Sequence, residues 1–301
     1  MQSGVRPSVL TDERVDSIRT ALLPWSTSVR RDLPWRRTRD PWAVLVSEVM
    51  LQQTQVARVI PKWEEFLERF PTAASCADAP QADVVRLWEG LGYHRRAMNL
   101  HRAAKQIVTE FGGVFPRSLS SLESLSGVGP YTARAVLAFA FEDDAAVVDT
   151  NVGRIIARAL AGRPVTGREA QRLADQLVPL GDAWAWNQGL LDLGATVCTK
   201  RLPKCPECPL ASSCVWACAA LAEPDPATGS AHVSGGQSRF VGSDRQGRGR
   251  FLAALRKGPV TSDAVGEIMG WPDDIDRANR VASSLVTDGL VRATDDGFEL
   301  H

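Results

Sequence analysis

Four of the six cysteines in this 301-residue chain fall within CTKRLPKCPECPLASSC, as Cys198, Cys205, Cys208 and Cys214. A C-x6-C-x2-C-x5-C run obliges one loop to carry four thiols close together, whatever the rest of the chain does. No apolar export signal opens the sequence, so a metal centre is expected rather than a disulfide framework. Two kinds of centre suit four thiolates: structural zinc and an iron–sulfur cluster. Only the middle pair has the short spacing of a zinc knuckle. The longer outer arms favour the wider [4Fe-4S] cube, with zinc as the alternative. Pro203, Pro206 and Pro209 stiffen the loop. Cys76 and Cys218 lie outside the spacing and read as small buried hydrophobes.

Ahead of that loop the chain reads as helix. Apolar periodicity predicts helices over Asp12–Leu23, Trp42–Gln53, Val56–Arg69, Ala82–Trp88, Arg95–Phe111, Tyr131–Phe139, Asn151–Leu160, Arg168–Val178 and Trp184–Leu193. Thr11 and Pro41 serve as start signals. No βαβ rhythm interrupts them, which excludes a dinucleotide fold. No run of about 18 apolar residues occurs, so no membrane span and a cytoplasmic location are expected. Glu223–Gly249 lacks periodicity and reads as a linker. Beyond it, Arg250–Arg256, Ser262–Met269 and Asp274–Asp288 read as helices and GLVRATDDGFEL as a hairpin. That pattern suits a small winged-helix-like module, serving either as a DNA contact or as a packing unit.

Thirty-five basic and 35 acidic residues cancel, yet the charge is uneven. Pro24–Arg39 holds five arginines and one aspartate, with Trp25 and Trp35 among them. Arg239–Lys257 holds six basic residues and one acidic residue. Either cluster is a solvated charge run or part of a nucleic-acid face. LSGVGPY places Gly127, Val128 and Gly129 before a helix start. That is either an ordinary αα turn or a seat for a phosphate oxygen. Two carboxyls stand out. Glu48 in WAVLVSEVMLQQ is either a buried acid, with its pKa raised, or part of a solvated stripe with Gln52 and Gln55. Asp149 in AAVVDTNVGR is either a helix cap or an ionised catalytic carboxylate. One protonated and one ionised carboxyl would suit cleavage of an N-glycosidic bond.

The stretches LPWRRTRDPWAVLVSEVMLQQTQVARVIPKW, WEGLGYHRRAMNLHRAA, LSGVGPYTARAV, VVDTNVGRI and WNQGLLDLGATVC, followed by the four cysteines, carry a family likeness. From about Ala21 to Cys214 the chain resembles the adenine DNA glycosylases of the MutY type, in the helix–hairpin–helix base-excision superfamily. The resemblance implies an all-α fold. Residues 33–143 would form a six-helix barrel domain with the helix–hairpin–helix. Residues 144–222 would form an iron–sulfur cluster domain joined by residues 1–32. A linker over 223–249 and the small module over 250–301 would follow. It also implies a [4Fe-4S] cluster on the four cysteines, and a monomer acting on double-stranded DNA that holds adenine opposite 8-oxoguanine or guanine. A sliding-clamp contact stays open.

Carried over residue by residue, Glu48 would protonate adenine N7 and Asp149 would stabilise the sugar cation. Tyr131 stands where lyase-competent relatives have lysine, which implies a monofunctional enzyme. Gln53 and Tyr93 would be the duplex wedge, supported by His94. Gln188, Arg36, Trp35 and Leu33 would bind the base, and Gly127, Val128 and Gly129 the DNA backbone. Thr150 replaces the family's usual glycine. The Nudix-like domain that many relatives carry has no counterpart here, which implies looser selection of the opposite base. A thymine or uracil mismatch glycosylase of the same fold is the alternative. Glu48 argues against it, because a pyrimidine has no N7 to protonate.

Overall fold

The computed structural model describes residues 10–231 and 239–300. Its helices in chain order are α1 (Asp12–Val29), α2 (Pro41–Leu51), α3 (Val56–Arg69), α4 (Ala73–Ala77), α5 (Gln81–Leu87), α6 (Arg95–Phe111), α7 (Leu119–Glu123) and α8 (Pro130–Ala140). There follow α9 (Thr150–Ile155), α10 (Gly167–Leu177), α11 (Ala183–Thr196), α12 (Val215–Cys218), α13 (Asp244–Leu255), α14 (Val265–Met269) and α15 (Ile275–Thr287). Short strands β1 (Val260–Thr261), β2 (Val291–Ala293) and β3 (Gly297–Leu300) lie near the C-terminus. Among the described residues no helix is long and apolar enough to cross a membrane.

The chain divides into two compact units. One holds the described residues up to Val44, Arg117–Leu119 and the described part of 129–235. The other holds Leu45–Pro116, Ser120–Val128 and the described part of 236–301.

In the first unit, Thr11 starts α1, its hydroxyl accepting from the Arg14 amide at 3.4 Å. α1 runs on to Val29 through Pro24, beyond the expected end at Leu23. The proline removes one backbone bond, but packing against α11 continues past it and buries Ser26. Ile18 and Leu22 of α1 share a core with Ile155, Leu173, Trp186 and Leu193.

In the second unit, the buried face of α3 (Val59, Trp63, Phe66) meets Phe70 and Trp88 edge-on. α6 packs on α4 and α5. Toward the C-terminus, α13, α14 and α15 pack with an antiparallel sheet of order β1-β3-β2. This is a winged-helix arrangement. Phe251 of α13 sits edge-on to Phe298 of β3 at 5.5 Å.

Several expectations need correction. The hairpin of β2 and β3 gains a third strand, β1, which at two residues is too short to show a period. The stretch read as a linker is ordered at both ends. Asp225 pairs with Arg158, and the Ser230 hydroxyl accepts from the Val165 amide at 3.1 Å. α13 begins at Asp244, capped by Ser243, where Gly247 and Gly249 had masked the helical pattern. Residues 232–238 of that stretch lie outside the described ones. The single helix expected over Asn151–Leu160 changes its hydrogen-bond spacing partway along. α9 gives way to a π-helical turn, Ile156–Ala161, ended by Gly162 at φ 63°. Asp274 caps α15 by accepting from the Arg277 amide at 3.1 Å.

Candidate functional site

Asp149 follows the buried run Ala146–Val148 and is the N-cap of α9. One carboxyl oxygen accepts from the amides of Asn151 (2.8 Å) and Val152 (2.7 Å). The other accepts from Asn151 Nδ2 at 3.0 Å. Cap and candidate catalytic carboxyl are therefore the same atoms. Burial pushes the Asp149 pKa up. The amides of Val152 and Asn151, the Asn151 side chain and the Arg154 charge oppose that shift without cancelling it. Thr150, in place of the family's glycine, is exposed at the first turn of α9, so its bulk points away from the packed side.

Behind Asp149 runs a hydrogen-bonded path. Asn151 Oδ1 accepts from Arg154 Nη2 at 2.8 Å, and Arg154 Nε donates to the Cys198 carbonyl at 2.7 Å. Gly194 makes room for it, because a Cβ there would fall 2.5 Å from Asn151 Cβ. Neither Asn151 nor Arg154 is marked by side-chain type alone. Their spacing from Asp149 across a helix start was the available signal.

Gln188 is buried on α11, one turn before Asp192. Asp192 grips the Arg36 guanidinium as a fork, at 2.8 and 2.9 Å, and Arg31 Nε at 2.5 Å. Burial pushes the Asp192 carboxyl up, but the bonds and charges of Arg36 and then Arg31 outweigh it and hold the group below its ordinary value. The Arg36 guanidinium is thus engaged in anchoring the LPWR segment to α11. Trp35 and Leu33 beside it are buried. Tyr131 lies half-buried in the first turn of α8.

Cys198, Cys205, Cys208 and Cys214 are free thiols lining one cavity with Leu210 and Trp216. Arg158, from the π-helical turn, brings Nη1 to 3.5 Å from Cys198 Sγ while Asp225 holds its other face. Burial pushes the thiols of Cys205, Cys208 and Cys214 up, Cys208 to about 11. Binding a metal centre would release those protons. Thiols lining an apolar cavity are the donor type that a thiolate-bound centre takes, although among the described residues no three His, Cys, Asp or Glu side chains are grouped closely enough to hold a metal ion. Cys76 is buried as expected, whereas Cys218, at the end of α12, is exposed.

In the second unit, every α2 residue from Leu45 to Met50 is buried, Glu48 included at 6% exposure. A solvated stripe is therefore excluded. α2 stops two residues before the expected Gln53, because Arg96 takes over its last carbonyls. Arg96 Nη1 donates to Val49, Met50 and Gln52 oxygens at 2.7–2.9 Å. Its Nη2 donates to the Leu91 and Gly92 oxygens at 3.1 and 3.0 Å. Burial lowers the Arg96 pKa to about 10. Gln53 (φ 57°) and Tyr93 (φ 49°) lie in the two loops it joins, both exposed and both left-handed. Arg96 braces both loops, and one arginine in HRRAMN carries no sequence pattern that would mark it.

The turn after α7 has Gly127 at φ 78°, pressed against Asn99, where a Cβ would come within 2.6 Å. Not every amide of this turn faces outward. Ser126 N–H donates to Gln106 Oε1, and Val128 N–H donates to the Leu125 carbonyl. Val128 itself is buried.

Residues 46–180 match the model of the HhH-GPD superfamily of base excision DNA repair proteins. The chain is 44% identical to the adenine DNA glycosylase of Mycolicibacterium smegmatis, over 92% of this chain and 93% of that one. It is 42% identical to the adenine DNA glycosylase of Mycobacterium tuberculosis, over 97% and 95%. Among solved structures, a thermostable thymine-DNA glycosylase matches with a TM-score of 0.64 and 30% identity, over 68% of this chain and 97% of that one. An endonuclease III trapped on DNA shares the fold, with a TM-score of 0.58 and 23% identity over 71% and 100%.

Proposed function

Since the chain belongs to the HhH-GPD superfamily of base excision DNA repair proteins, among its adenine DNA glycosylases, we propose that it frees adenine opposite 8-oxoguanine or guanine in duplex DNA. The enzyme is a monofunctional DNA N-glycosylase. The burial of Glu48 carries the assignment of substrate. Adenine leaves poorly as an anion, and protonation at N7 removes that difficulty. A carboxyl sunk in an apolar helix is suited to hold the proton. A pyrimidine offers no such nitrogen, which separates this enzyme from the thymine glycosylase that shares its fold.

As the C1′–N9 bond breaks, positive charge grows on the sugar, and Asp149 offsets it. Its three N–H donors fix the carboxyl and favour its ionised form against burial. Tyr131 has no amine with which to open the sugar as a Schiff base, so an abasic site is the product. Gln188 pairs with the adenine edge, while Gln53 and Tyr93 fill the stack that the extruded base leaves. Gly127 and Gly129 take the backbone. Arg36, with Trp35 and Leu33, supports the pocket wall through Asp192.

The proposal includes the six-helix barrel over 33–143 and the cluster domain over 144–222. Cys198, Cys205, Cys208 and Cys214 would hold a [4Fe-4S] cluster, which supplies a fourfold thiolate cross-link of the loop when bound.

Single-turnover assays on A·8-oxoguanine, A·G, T·G and U·G duplexes test the reading. Glu48→Gln and Asp149→Asn should each lose about 10³-fold or more in adenine release, several kcal/mol of barrier, with duplex affinity kept. Near-parent release by Glu48→Gln, or release of thymine from T·G by the parent enzyme, would overturn the assignment.

A further inference from the structure

Tyr93 sits in a backbone conformation that tyrosine rarely adopts. Gly90 (φ 85°), Gly92 (φ 69°) and Tyr93 (φ 49°) make the loop left-handed at three of four positions. Such a loop persists only where its surroundings over-determine it. From the helical side Arg96 binds the Leu91 and Gly92 carbonyls. The other supports come from more than 150 residues away in the sequence, on the C-terminal module.

Arg245, in the first turn of α13, donates through Nη1 to the Tyr93 hydroxyl at 2.9 Å. Arg256, the C-cap of the same helix, donates to His94 Nε2 at 2.7 Å and to Glu89 Oε1 at 3.2 Å. The two ends of α13 therefore bracket the loop, about 16 Å apart along the helix. Burial and the cations Arg256, Arg248 and Arg96 hold the His94 ring down at about 3, which leaves Nε2 as an unprotonated acceptor. The module is itself tied down. Gln81 Nε2 donates to the Gly289 carbonyl at 2.8 Å, and Asp288 takes Arg248 at 2.6 Å with Arg95 at 3.9 Å. Tyr93 nonetheless keeps 40% of its surface open, so the ring is supported without being covered.

We propose that the C-terminal module is a working support of the DNA wedge, with Arg245 as the positioning residue that holds the Tyr93 ring for entry into the base stack. This rests on the assignment of Tyr93 to the wedge. A floppy ring would give back, in ordering, much of what it gains by filling the vacated stack. A ring hydrogen-bonded in advance to a docked helix is already ordered. The winged-helix module thus orients a residue that the preceding helices carry.

The full-length protein is assayed as Arg245→Met, Tyr93→Phe, the pair, and Tyr93→Ala. Two readouts are taken on an A·8-oxoguanine duplex: fluorescence of 2-aminopurine beside the target adenine, which reports unstacking, and single-turnover adenine release. Arg245→Met and Tyr93→Phe should each slow both by about tenfold, as expected for one charge-assisted hydrogen bond. The pair should be no worse than either single variant, with thermal stability kept. Multiplicative losses in the pair, or no loss in the singles while Tyr93→Ala is slow, would overturn the positioning role alone. A lower salt slope of binding with unstacking unchanged in Arg245→Met would also overturn it and make Arg245 a phosphate contact. Parent-level unstacking and release by Tyr93→Ala would instead bring down the wedge assignment.

Discussion

At Asp149 stability and chemistry pull in opposite directions. The carboxyl caps α9, yet burial raises its pKa above its ordinary value. A carboxyl whose folded pKa exceeds its unfolded value of about 3.9 weakens the fold as pH rises through that interval, and the penalty persists above it. Asparagine caps a helix as well as aspartate and carries no charge to desolvate. Asp149→Asn should therefore melt no lower than the parent at pH 7 while losing excision, and the two proteins should converge only below about pH 4, where the carboxyl is protonated in both the folded and the unfolded parent. Thermal midpoints at the two pH values check this. A loss of more than about 1 kcal/mol at pH 7 would show that the ionised carboxylate stabilises the native fold.

Among the elements, α2 and α6 depend on one guanidinium. Arg96, near the start of α6, answers five carbonyls at the end of α2 and in the loop before α6. Those oxygens belong to turns that no regular hydrogen-bond ladder serves. Arg96→Met keeps the apolar stem and removes every donor. It should lower stability by about 3 kcal/mol, read from the urea midpoint at unchanged slope. Release of adenine should fall as well, because Gln53 and Tyr93 both sit in the loops that it joins. A loss under about 1 kcal/mol would mean that water satisfies those carbonyls equally well.

For the whole molecule, the cysteine loop sets the main chemical test. Protein purified without oxygen should carry about four iron and four acid-labile sulfide per chain. One zinc with no sulfide would select the alternative centre. Cluster loss should reach beyond the loop, because Arg154 bonds the Cys198 carbonyl and Arg158 sits against the Cys198 sulfur. Oxidative removal of the cluster is expected to lower the melting temperature and to slow adenine release, with Asp149 sharing the disturbed hydrogen-bonded path.

Local chemistry made much of this protein legible in one dimension. The four-cysteine spacing, the apolar helix around Glu48, the glycines before α8 and the carboxylate ahead of α9 each lie within a few residues of chain, where period and side-chain type suffice. Whether Glu48 is buried was beyond such a window, since α2 offers two faces and only packing on both hides the acid. Arg36 and Asp192 are 156 residues apart, and Arg245 is 152 residues from Tyr93. Nothing local to an arginine says which distant carboxylate or phenol it will meet. The π-helical turn, the extra strand β1 and the folded ends of Glu223–Gly249 were likewise decided by tertiary contact. Arg158 finds Asp225 and the cysteine loop together only after the chain has closed on itself, and Val260 finds Phe298 only after the intervening helices have packed.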